Sequence, residues 1–301
     1  GAGGGIALLG TSNVSITGGF VANNESLLRG GGIFVAEDSR IQISERTEIL
    51  DNVVGFQVPI NEFVERMPGL GGGIFSVGTL LIKDARITDN ASDGSGGGVY
   101  VADGYTRLDN VGVRRNQANI SGGGLAFTGG IGLIRNSVIG GPGGIDANFA
   151  GVRGADDPIG TGGGISVSGD AIRVRVDDGS IAVNVATLSG GGIHASAGII
   201  SLVNDVQVRF NRAQLTDGGG VFIDGATSFA AVDAVFEDNA ARDGAGIFNN
   251  EGRLFLSGSL VTDNDARRVA GGVFTRDFVG LVDTDISGNT AVRDADFFQE
   301  V

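Results

Sequence analysis

Short segments in which hydrophobic and polar residues alternate recur along the whole chain, and each group of segments follows a run of glycines. Between Gly73 and Gly98 the alternating segments lie at 74–77, 80–82 and 86–88, and turn residues separate them. Alternation with a period of two predicts strands that bury one face. Three strands of 3 to 5 residues in a unit of about 26 residues predict one turn of a parallel β-helix.

The glycine runs are periodic. A Gly-Gly-Gly-aliphatic motif, degenerate in its last two copies, ends its glycine run at ten positions: Gly5, Gly32, Gly73, Gly98, Gly124, Gly164, Gly192, Gly220, Gly246 and Gly272. Seven of the nine spacings lie between 25 and 28 residues, and the other two are 41 and 40. The period predicts one all-β solenoid domain over 1–301 with about ten turns. The aliphatic residue after each run should point inward and stack on its equivalents: Ile6, Ile33, Ile74, Val99, Leu125, Ile165, Ile193, Val221, Ile247 and Val273.

A second motif, an apolar residue followed three positions later by asparagine, recurs in phase with the glycine runs. We assign it to Asn23, Asn52, Asn90, Asn116, Asn136, Asn184, Asn211, Asn239, Asn264 and Asn289. A turn that repeats in register leaves backbone groups pointing inward, and an asparagine amide can donate to one neighbouring turn and accept from the other. The motif therefore predicts an inward asparagine ladder, with the glycines at corners that need a positive φ or a close backbone approach.

Two insertions interrupt the period, at 53–70 and 137–161, where the spacing exceeds the unit by about 14 residues. All four prolines (Pro59, Pro68, Pro142 and Pro158) and Met67, the one methionine, lie in them. Insertions in repeat proteins form loops on one face, which is often the binding face. We expect both loops to leave the same corner, where they either wall a groove or cover apolar strand surface.

The residue directly after each inward aliphatic residue must point outward. These ten positions hold Ala7, Phe34, Phe75, Tyr100, Ala126, Ser166, His194, Phe222, Phe248 and Phe274. Six of the ten are aromatic in a chain that is only 6% aromatic, so they predict a continuous column. Two interpretations stay open: a strip that contacts a sugar or a partner through Phe34, Phe75, Tyr100, Phe222, Phe248 and Phe274, or ring stacking that stiffens the sheet.

Composition narrows the function classes. The chain has 35 acidic and 21 basic residues and a net charge of −14, which argues against a nucleic-acid partner. It has no apolar run long enough to span a membrane. The absence of cysteine and the single histidine exclude disulfides, thiolate chemistry and multi-histidine metal sites. Hydrophobic residues make up 41% of the chain, enough for a buried core rather than a disordered glycine-rich segment.

The paired motifs resemble the repeat of the chlamydial polymorphic outer-membrane proteins and of related autotransporter passenger domains, within the right-handed β-helix superfamily. The segment GGGIFSVGTLLIKDARITDNASDGSGGG carries the resemblance most clearly, and the motifs extend over essentially the whole chain. The resemblance implies a right-handed coil and a secreted or surface-exposed passenger with an adhesive role. It implies no catalytic residues.

Enzyme chemistry has one candidate constellation. Many right-handed β-helices act on acidic polysaccharides, which requires cations for the substrate carboxylate and a base for its α-proton. Lys83, Tyr100, Tyr105, Arg114 and Arg115 all come from the two turns between the insertions. The acidic surface argues against a polyanionic substrate, and Asp157-Pro158 is followed by Ile159 rather than by histidine.

The candidates for a metal site and for a catalytic histidine are weaker. The pairs Asp156-Asp157 and Asp177-Asp178 lack the spacing of a dedicated calcium loop, so we expect solvated turn aspartates, with structural calcium as the alternative. His194 interrupts the outward column, and we expect a surface residue rather than a catalytic one. No cofactor is predicted.

The sequence therefore favours a non-catalytic, extracellular or cell-surface rod for adhesion or surface assembly, with a glycan or protein of a host or neighbouring cell as its partner. The first alternative is a polysaccharide lyase or epimerase. The second is a structural subunit that associates end to end or side by side, because neither end of the chain shows a polar capping turn.

Overall fold

The chain forms a parallel β-solenoid of about ten turns with a repeat of roughly 27 residues. The structure is a computed structural model, and it describes residues 1–55, 67–152, 159–169 and 171–300. Three sheets run along the axis, and each strand pairs in parallel with its equivalent in the next turn. The predicted fold class and the three strands per turn are confirmed.

The first sheet follows the glycine runs and has eleven strands: Ile6–Leu8, Ile33–Val35, Ile74–Ser76, Val99–Val101, Leu125–Phe127, Ile165–Val167, Ile193–Ala195, Val221–Ile223, Ile247–Asn249, Val273–Thr275 and Phe297–Gln299. The third sheet has nine strands: Glu25–Ser26, Val53–Val54, Ala91–Ser92, Gln117–Ala118, Phe149–Ala150, Val185–Ala186, Arg212–Ala213, Ala240–Asp243 and Asp265–Val269.

The second sheet has sixteen strands: Asn13–Thr17, Phe20–Ala22, Arg40–Ser44, Glu48–Leu50, Thr79–Thr88, Tyr105–Arg114, Ile131–Gly140, Arg173–Ala182, Ile199–Val203, Gln207–Arg209, Ser228–Val232, Val235–Glu237, Arg253–Ser257, Leu260–Thr262, Val279–Val282 and Asp285–Ser287. Its long strands bend at left-handed residues such as Asp84 (φ 48°) and Asn110 (φ 54°). The bend divides the sheet into a first arm, exemplified by residues 79–83, and a second arm, exemplified by residues 85–88.

The main hydrophobic core runs along the axis between the sheets. The aliphatic residues after the glycine runs pair with one another from turn to turn, as in Ile33 with Ile74. From Ile33 to Val273 every member of this column is at most 1% exposed, while Ile6, in the first turn, is half-buried. The predicted inward column is therefore confirmed, and each fully buried member contributes roughly 1.5 to 3 kcal/mol of hydrophobic free energy.

The glycine runs turn the corner between the third and first sheets. Gly218, the first glycine of its run, has a φ of +67°, and a Cβ there would lie 2.5 Å from the carbonyl oxygen of Val221. Gly220, the third, lies against the next turn, where a Cβ would be 2.5 Å from the Gly246 oxygen and 3.1 Å from the Cγ of Asn239. Both predicted reasons for glycine, a positive φ and a close approach, are confirmed at this corner.

Replacing Gly218 by alanine should lower the free energy of unfolding by about 2 kcal/mol, because the left-handed backbone and the clash with Val221 both penalise a Cβ. Gly144→Ala is the control, since no atom lies within 4 Å of a Cβ at that position. We expect its stability to change by less than about 0.5 kcal/mol. Urea unfolding of the two variants measures the difference, and equal stabilities would contradict the corner assignment.

Ten asparagines form a continuous ladder at the corner between the second and third sheets. The Nδ2 of each donates to the Oδ1 of the next at 2.9 to 3.0 Å, in the order Asn24, Asn52, Asn90, Asn116, Asn148, Asn184, Asn211, Asn239, Asn264 and Asn289. From the second member onward, Nδ2 also donates to a main-chain carbonyl of the preceding turn, as from Asn211 to Ile181 at 2.8 Å. The ladder ends on Asp296, whose Oδ1 accepts from the backbone N–H and the Nδ2 of Asn289, both at 3.1 Å.

Two of the predicted ladder members are wrong. Asn23 is the left-handed residue (φ 57°) that precedes the true member, Asn24. Asn136 is the left-handed bend (φ 47°) between the two arms, where it is exposed and its Nδ2 donates to Asp109 at 3.4 Å. Asn148 takes the place assigned to Asn136, because residues 140–147 separate it from its core neighbour Ile139.

The extra residues of the second long repeat fall at two places rather than one. Ile139 pairs with Ile181 and Phe149 with Val185, so one loop lies between Ile139 and Asn148. The remaining extra residues lie in sequence between Ala150 and Thr161, and those of the first insertion lie between Val54 and Leu70, which are the equivalent positions of the repeat. Residues 56–66 and 153–158, with Pro59, Pro158 and the pair Asp156-Asp157, lie outside the described residues.

Helical structure within the described ranges is limited to the 3-10 turn Gly144–Asp146. Across those ranges, no helix has the length and hydropathy that crossing a membrane would need.

Candidate functional site

The outward residues of the first sheet stack in two series. Phe34, Phe75 and Tyr100 have ring centroids 5.5 Å apart and planes within 7° of parallel. A second series has centroids 4.5 to 5.3 Å apart and contains His194, Phe222, Phe248 and Phe274. Ala126 and Ser166 separate the two series.

Of the two interpretations of this column, ring stacking fits the burial better than a contact strip, because Phe34, Phe75, Phe248 and Phe274 are buried, and Tyr100 and Phe222 are half-buried. The physical reason is the glycine corner, which has no side chains to hold the rings away: a Cβ on Gly218 would lie 2.8 Å from the Cβ of Phe222. Cations cover the outer side of the stack. The Arg276 guanidinium lies 5.4 and 5.1 Å from the ring centroids of Phe248 and Phe274, and Arg29 covers Phe75 at 5.1 Å. The stack is therefore part of the folded scaffold.

His194 lies inside this stack, against Phe222 at 5.2 Å with the rings within 4° of parallel. Its Nδ1 is shielded from solvent and has no hydrogen-bond partner among the described residues. Burial lowers the pKa of His194 to about 4, and the charge of Asp224 opposes that shift only in part. The imidazole is therefore neutral at pH 7, and His194 is half-buried in the stack rather than fully exposed.

The five residues of the predicted enzyme constellation do not meet at one place. Tyr100 lies in the stack of the first sheet, where its hydroxyl accepts from Thr128 Oγ1 at 3.1 Å. Arg114 ends the second arm of its strand, and Arg115 is tied to Asp89 by two hydrogen bonds of 2.8 and 2.6 Å at the ladder corner. Lys83 and Tyr105 alone share a site.

That site is a groove of about 470 Å³ on the outward side of the first arm of the second sheet. Its polar lining is Arg40, Gln42, Thr79, Lys83, Tyr105, Arg107 and Asp109. The neighbouring strands bring these side chains together in register, with Thr79 between Arg40 and Tyr105 and with Lys83 beside Asp109. The groove thus gathers three cations around one carboxylate in a chain whose net charge is −14.

Cations continue beyond the groove on the same arm. The strands that follow place Ile131 beside Arg173, Leu133 beside Arg175 and Arg135 beside Asp177. We call the six basic side chains of these five consecutive turns the cationic face: Arg40, Lys83, Arg107, Arg135, Arg173 and Arg175. With turns about 4.8 Å apart, the cationic face is roughly 19 Å long.

The carboxylates on the cationic face hold some of its arginines in place. Asp109 accepts from Arg107 at 2.6 Å, and that hydrogen bond keeps the pKa of Asp109 below its usual value against the effect of burial. Asp177 accepts from Asn204 and Arg175, and its pKa is lowered in the same way. Both groups therefore stay ionised at neutral pH. Arg40 and Arg173 form no ion pair with any residue that the structure describes, and Lys83 lies 3.9 Å from Asp84 with its side chain 66% exposed.

Of the two predicted calcium candidates, the pair Asp177-Asp178 is the one that the structure describes, and it is held by arginines. Asp177 is engaged by Arg135 at 3.6 Å and by Arg175 at 3.2 Å, while Asp178 is an exposed left-handed bend residue. Among the described residues, no three histidine or carboxylate side chains cluster as metal ligands. Of the outward positions of this arm, the sequence analysis identified Lys83 and Tyr105 but not the arginines beside them. The signal was the alternation of the strand, because these positions flank the inward Leu80 and Ile82 and recur at the same register in each turn.

A scan against protein-family models, a search of curated proteins and a search of solved structures each gave no match to the chain.

Proposed function

We propose that the chain is a non-catalytic, extracellular or cell-surface rod that mediates adhesion by binding its partner on the cationic face. The observation that carries the proposal is the separation of charge. Six basic side chains and two carboxylates share the outward positions of the first arm over five turns, so this patch is positive while the remainder of the molecule is strongly negative. Charge separated in this way steers and orients a partner of opposite sign.

The rigidity of the support favours recognition. Each strand beneath the cationic face is paired on both sides, and its inward residues, such as Leu80, Ile82 and Leu108, are at most 1% exposed. Side chains on such a sheet keep fixed spacings, so little conformational entropy is lost when they bind. The resemblance to polymorphic outer-membrane proteins and autotransporter passengers supports an adhesive role outside the cell.

The groove carboxylate favours binding over catalysis. A general base works best when its pKa lies near the working pH, because it must be both deprotonated and basic. Asp109 has its pKa lowered by Arg107, which makes it a weak base for abstracting a proton from a sugar carbon. The groove suits an anion that stays bound without reacting.

The natural absence of cysteine provides a direct test of the binding surface. Gln42→Cys, labelled with a bulky maleimide polymer, should block the cationic face and abolish binding of the full chain to its partner on an array of glycans and matrix proteins. Gln117→Cys, exposed on the third sheet, carries the same label as a control and should bind normally. Equal binding by both labelled variants would show that the partner uses another surface.

A polysaccharide lyase is the second candidate, because Lys83 and Tyr105 share the groove with Arg40 and Arg107. Under this hypothesis, pectate, alginate or hyaluronate incubated with the chain gains the ultraviolet absorbance of an unsaturated uronate, and Lys83→Ala removes that gain. The proposed function predicts no gain with either form of the chain.

A further inference from the structure

We infer that the outer face of the first arm, of which the cationic face is one part, lies flat on an anionic lipid bilayer. The inference rests on the proposed function and adds the chemical class of the partner. Three features of this face support it: the spread of its cations in two dimensions, the exposed apolar side chains beside them, and its net charge.

The cations of the face are spread over a plane rather than along a line. The strand register puts them in three parallel columns, with Arg40 and Arg173 in the first, Arg107 and Arg175 in the second, and Lys83 and Arg135 in the third. Neighbouring columns are two residues apart along a strand, about 6.6 Å, and turns are about 4.8 Å apart. A bilayer presents its headgroup phosphates in two dimensions as well, so the grid of cations fits a surface better than a narrow ligand.

Exposed apolar side chains continue the same face toward the later turns. The outward positions of the first arm there include Ile131, Ile199, Phe255, Phe278 and Val282, each between 40% and 55% exposed. They extend over six turns, roughly 24 Å. A fluid lipid layer fills the space around each separated side chain, whereas a protein partner would need a matching pocket for each. Basic residues combined with phenylalanine and aliphatic residues are typical of helices that lie in the membrane interface, and this sheet presents the same combination.

The outer face of the first arm is positive as a whole. Arg253 adds a seventh cation to the cationic face. At the described outward positions from the second to the tenth turn, Asp109 and Asp177 are the only carboxylates, which leaves a net charge of +5 in a chain of net charge −14. Exposed carboxylates at the edges of the arm, such as Asp103 and Asp205, repel an anionic surface. Contact is therefore confined to the outward positions between the two edges.

The role of charge is tested by sedimenting the full chain with vesicles. We expect it to bind vesicles of equal parts phosphatidylglycerol and phosphatidylcholine, to be released as salt is added, and to bind pure phosphatidylcholine about tenfold or more weakly. The triple variant Arg40→Gln, Lys83→Gln, Arg173→Gln should lose about tenfold or more in affinity for the anionic vesicles. The matched control, Arg209→Gln, Arg212→Gln, Arg267→Gln, removes the same charge from the second arm and the third sheet. It should bind within about twofold of the unaltered chain, because charges far from the membrane surface are screened.

The natural absence of tryptophan provides a test of the apolar positions. Phe278→Trp places an indole on the first arm, and its emission should move to shorter wavelength when the anionic vesicles are added. Phe210→Trp, at the ladder corner, is the matched control and should not respond. Phe278 is 55% exposed with the Arg253 guanidinium 5.8 Å from its ring centroid. Phe210 is 51% exposed with the Arg209 guanidinium at 6.0 Å, so the two positions differ mainly in the face that they occupy.

The remaining outcomes count against the inference. Equal losses in the two triple variants, or equal shifts in the two tryptophan variants, would show that the bilayer does not lie on the first arm. Binding of soluble polyglutamate without any response of Phe278→Trp to vesicles would identify an acidic protein as the partner. Self-association that the first triple variant abolishes would identify a second copy of the chain.

The inference and the proposed function can fail separately. Absence of vesicle binding overturns the inference, but the adhesive rod stands if the label on Gln42→Cys still blocks a glycan or protein partner. Vesicle binding that the same label leaves unchanged would contradict the cationic face as the binding surface, and with it both proposals.

Discussion

Replacing Asn211 by aspartate should lower the free energy of unfolding by about 4 kcal/mol or more at neutral pH. The Nδ2 of Asn211 donates to the carbonyl of Ile181 at 2.8 Å and to the Oδ1 of Asn239 at 3.0 Å, in a fully buried position. An aspartate keeps the shape but places an oxygen against both acceptors and buries a charge. Protonation of the new aspartate restores one hydrogen-bond donor, so the loss in free energy of unfolding should become smaller as the pH falls.

The matched control is the opposite substitution at the end of the same ladder. Asp296 only accepts, from the backbone N–H and the Nδ2 of Asn289. Asp296→Asn keeps that acceptor, and we expect a loss of about 1 kcal/mol because a neutral acceptor replaces a charged one. Urea unfolding followed by circular dichroism compares the two. Losses of similar size would mean that the ladder's hydrogen bonds contribute little to stability.

Acidification should destabilise the chain through His194 by roughly 2 to 3 kcal/mol between pH 6.5 and pH 4. The pKa is about 4 in the folded protein, whereas an unfolded histidine has its ordinary value of 6.5. As the pH falls, the unfolded chain therefore binds a proton at His194 before the folded chain does. This contribution to stability is fully present above pH 6.5 and is lost as the pH falls toward 4.

His194→Phe isolates this effect, because phenylalanine continues the stack with Phe222 and does not titrate. Carboxylates elsewhere titrate alike in both proteins, so the difference between their stability curves reports His194. We expect the free energy of unfolding of the variant to rise relative to that of the unaltered chain as the pH falls. The fold of the variant should be unchanged. Parallel stability curves from pH 7 to pH 4 would contradict the lowered pKa of His194. An NMR titration of the single histidine measures its pKa directly.

The periodic features of the fold follow from the sequence because they are set by local pattern. The inward column from Ile33 to Val273 and the corners at the first glycines each depend on contacts between identical positions in adjacent turns. A repeat therefore specifies its own packing. The prediction of the ladder was wrong at two members for a related reason: Asn23 stands beside Asn24, and an insertion separates Asn148 from Ile139. The spacing of the motif cannot identify the true member in either case unless the strand register is known.

The candidate site was harder to predict because it depends on which strands face one another. The glycine corner buries rings such as Phe75 and Phe248 that simple alternation places outside. The cationic face joins Arg40 to Arg107 across the first insertion, so the two residues are distant in sequence but only two turns apart in space. Lys83 and Tyr105 were predicted, whereas their arginine neighbours emerged only from the strand pairing.

The asparagine ladder also gives the solenoid a dipole along its axis. Every Nδ2 points toward the next turn and every Oδ1 toward the preceding one, so the amide dipoles from Asn24 to Asn289 are aligned head to tail. Aligned dipoles accumulate partial positive charge where the donors end, as they do at the amino end of an α-helix. Asp296 lies at that end, where its carboxylate neutralises the accumulated charge and accepts the last two donors. The asparagine ladder is thus an aligned row of dipoles, and a carboxylate of the same chain lies at its positive end.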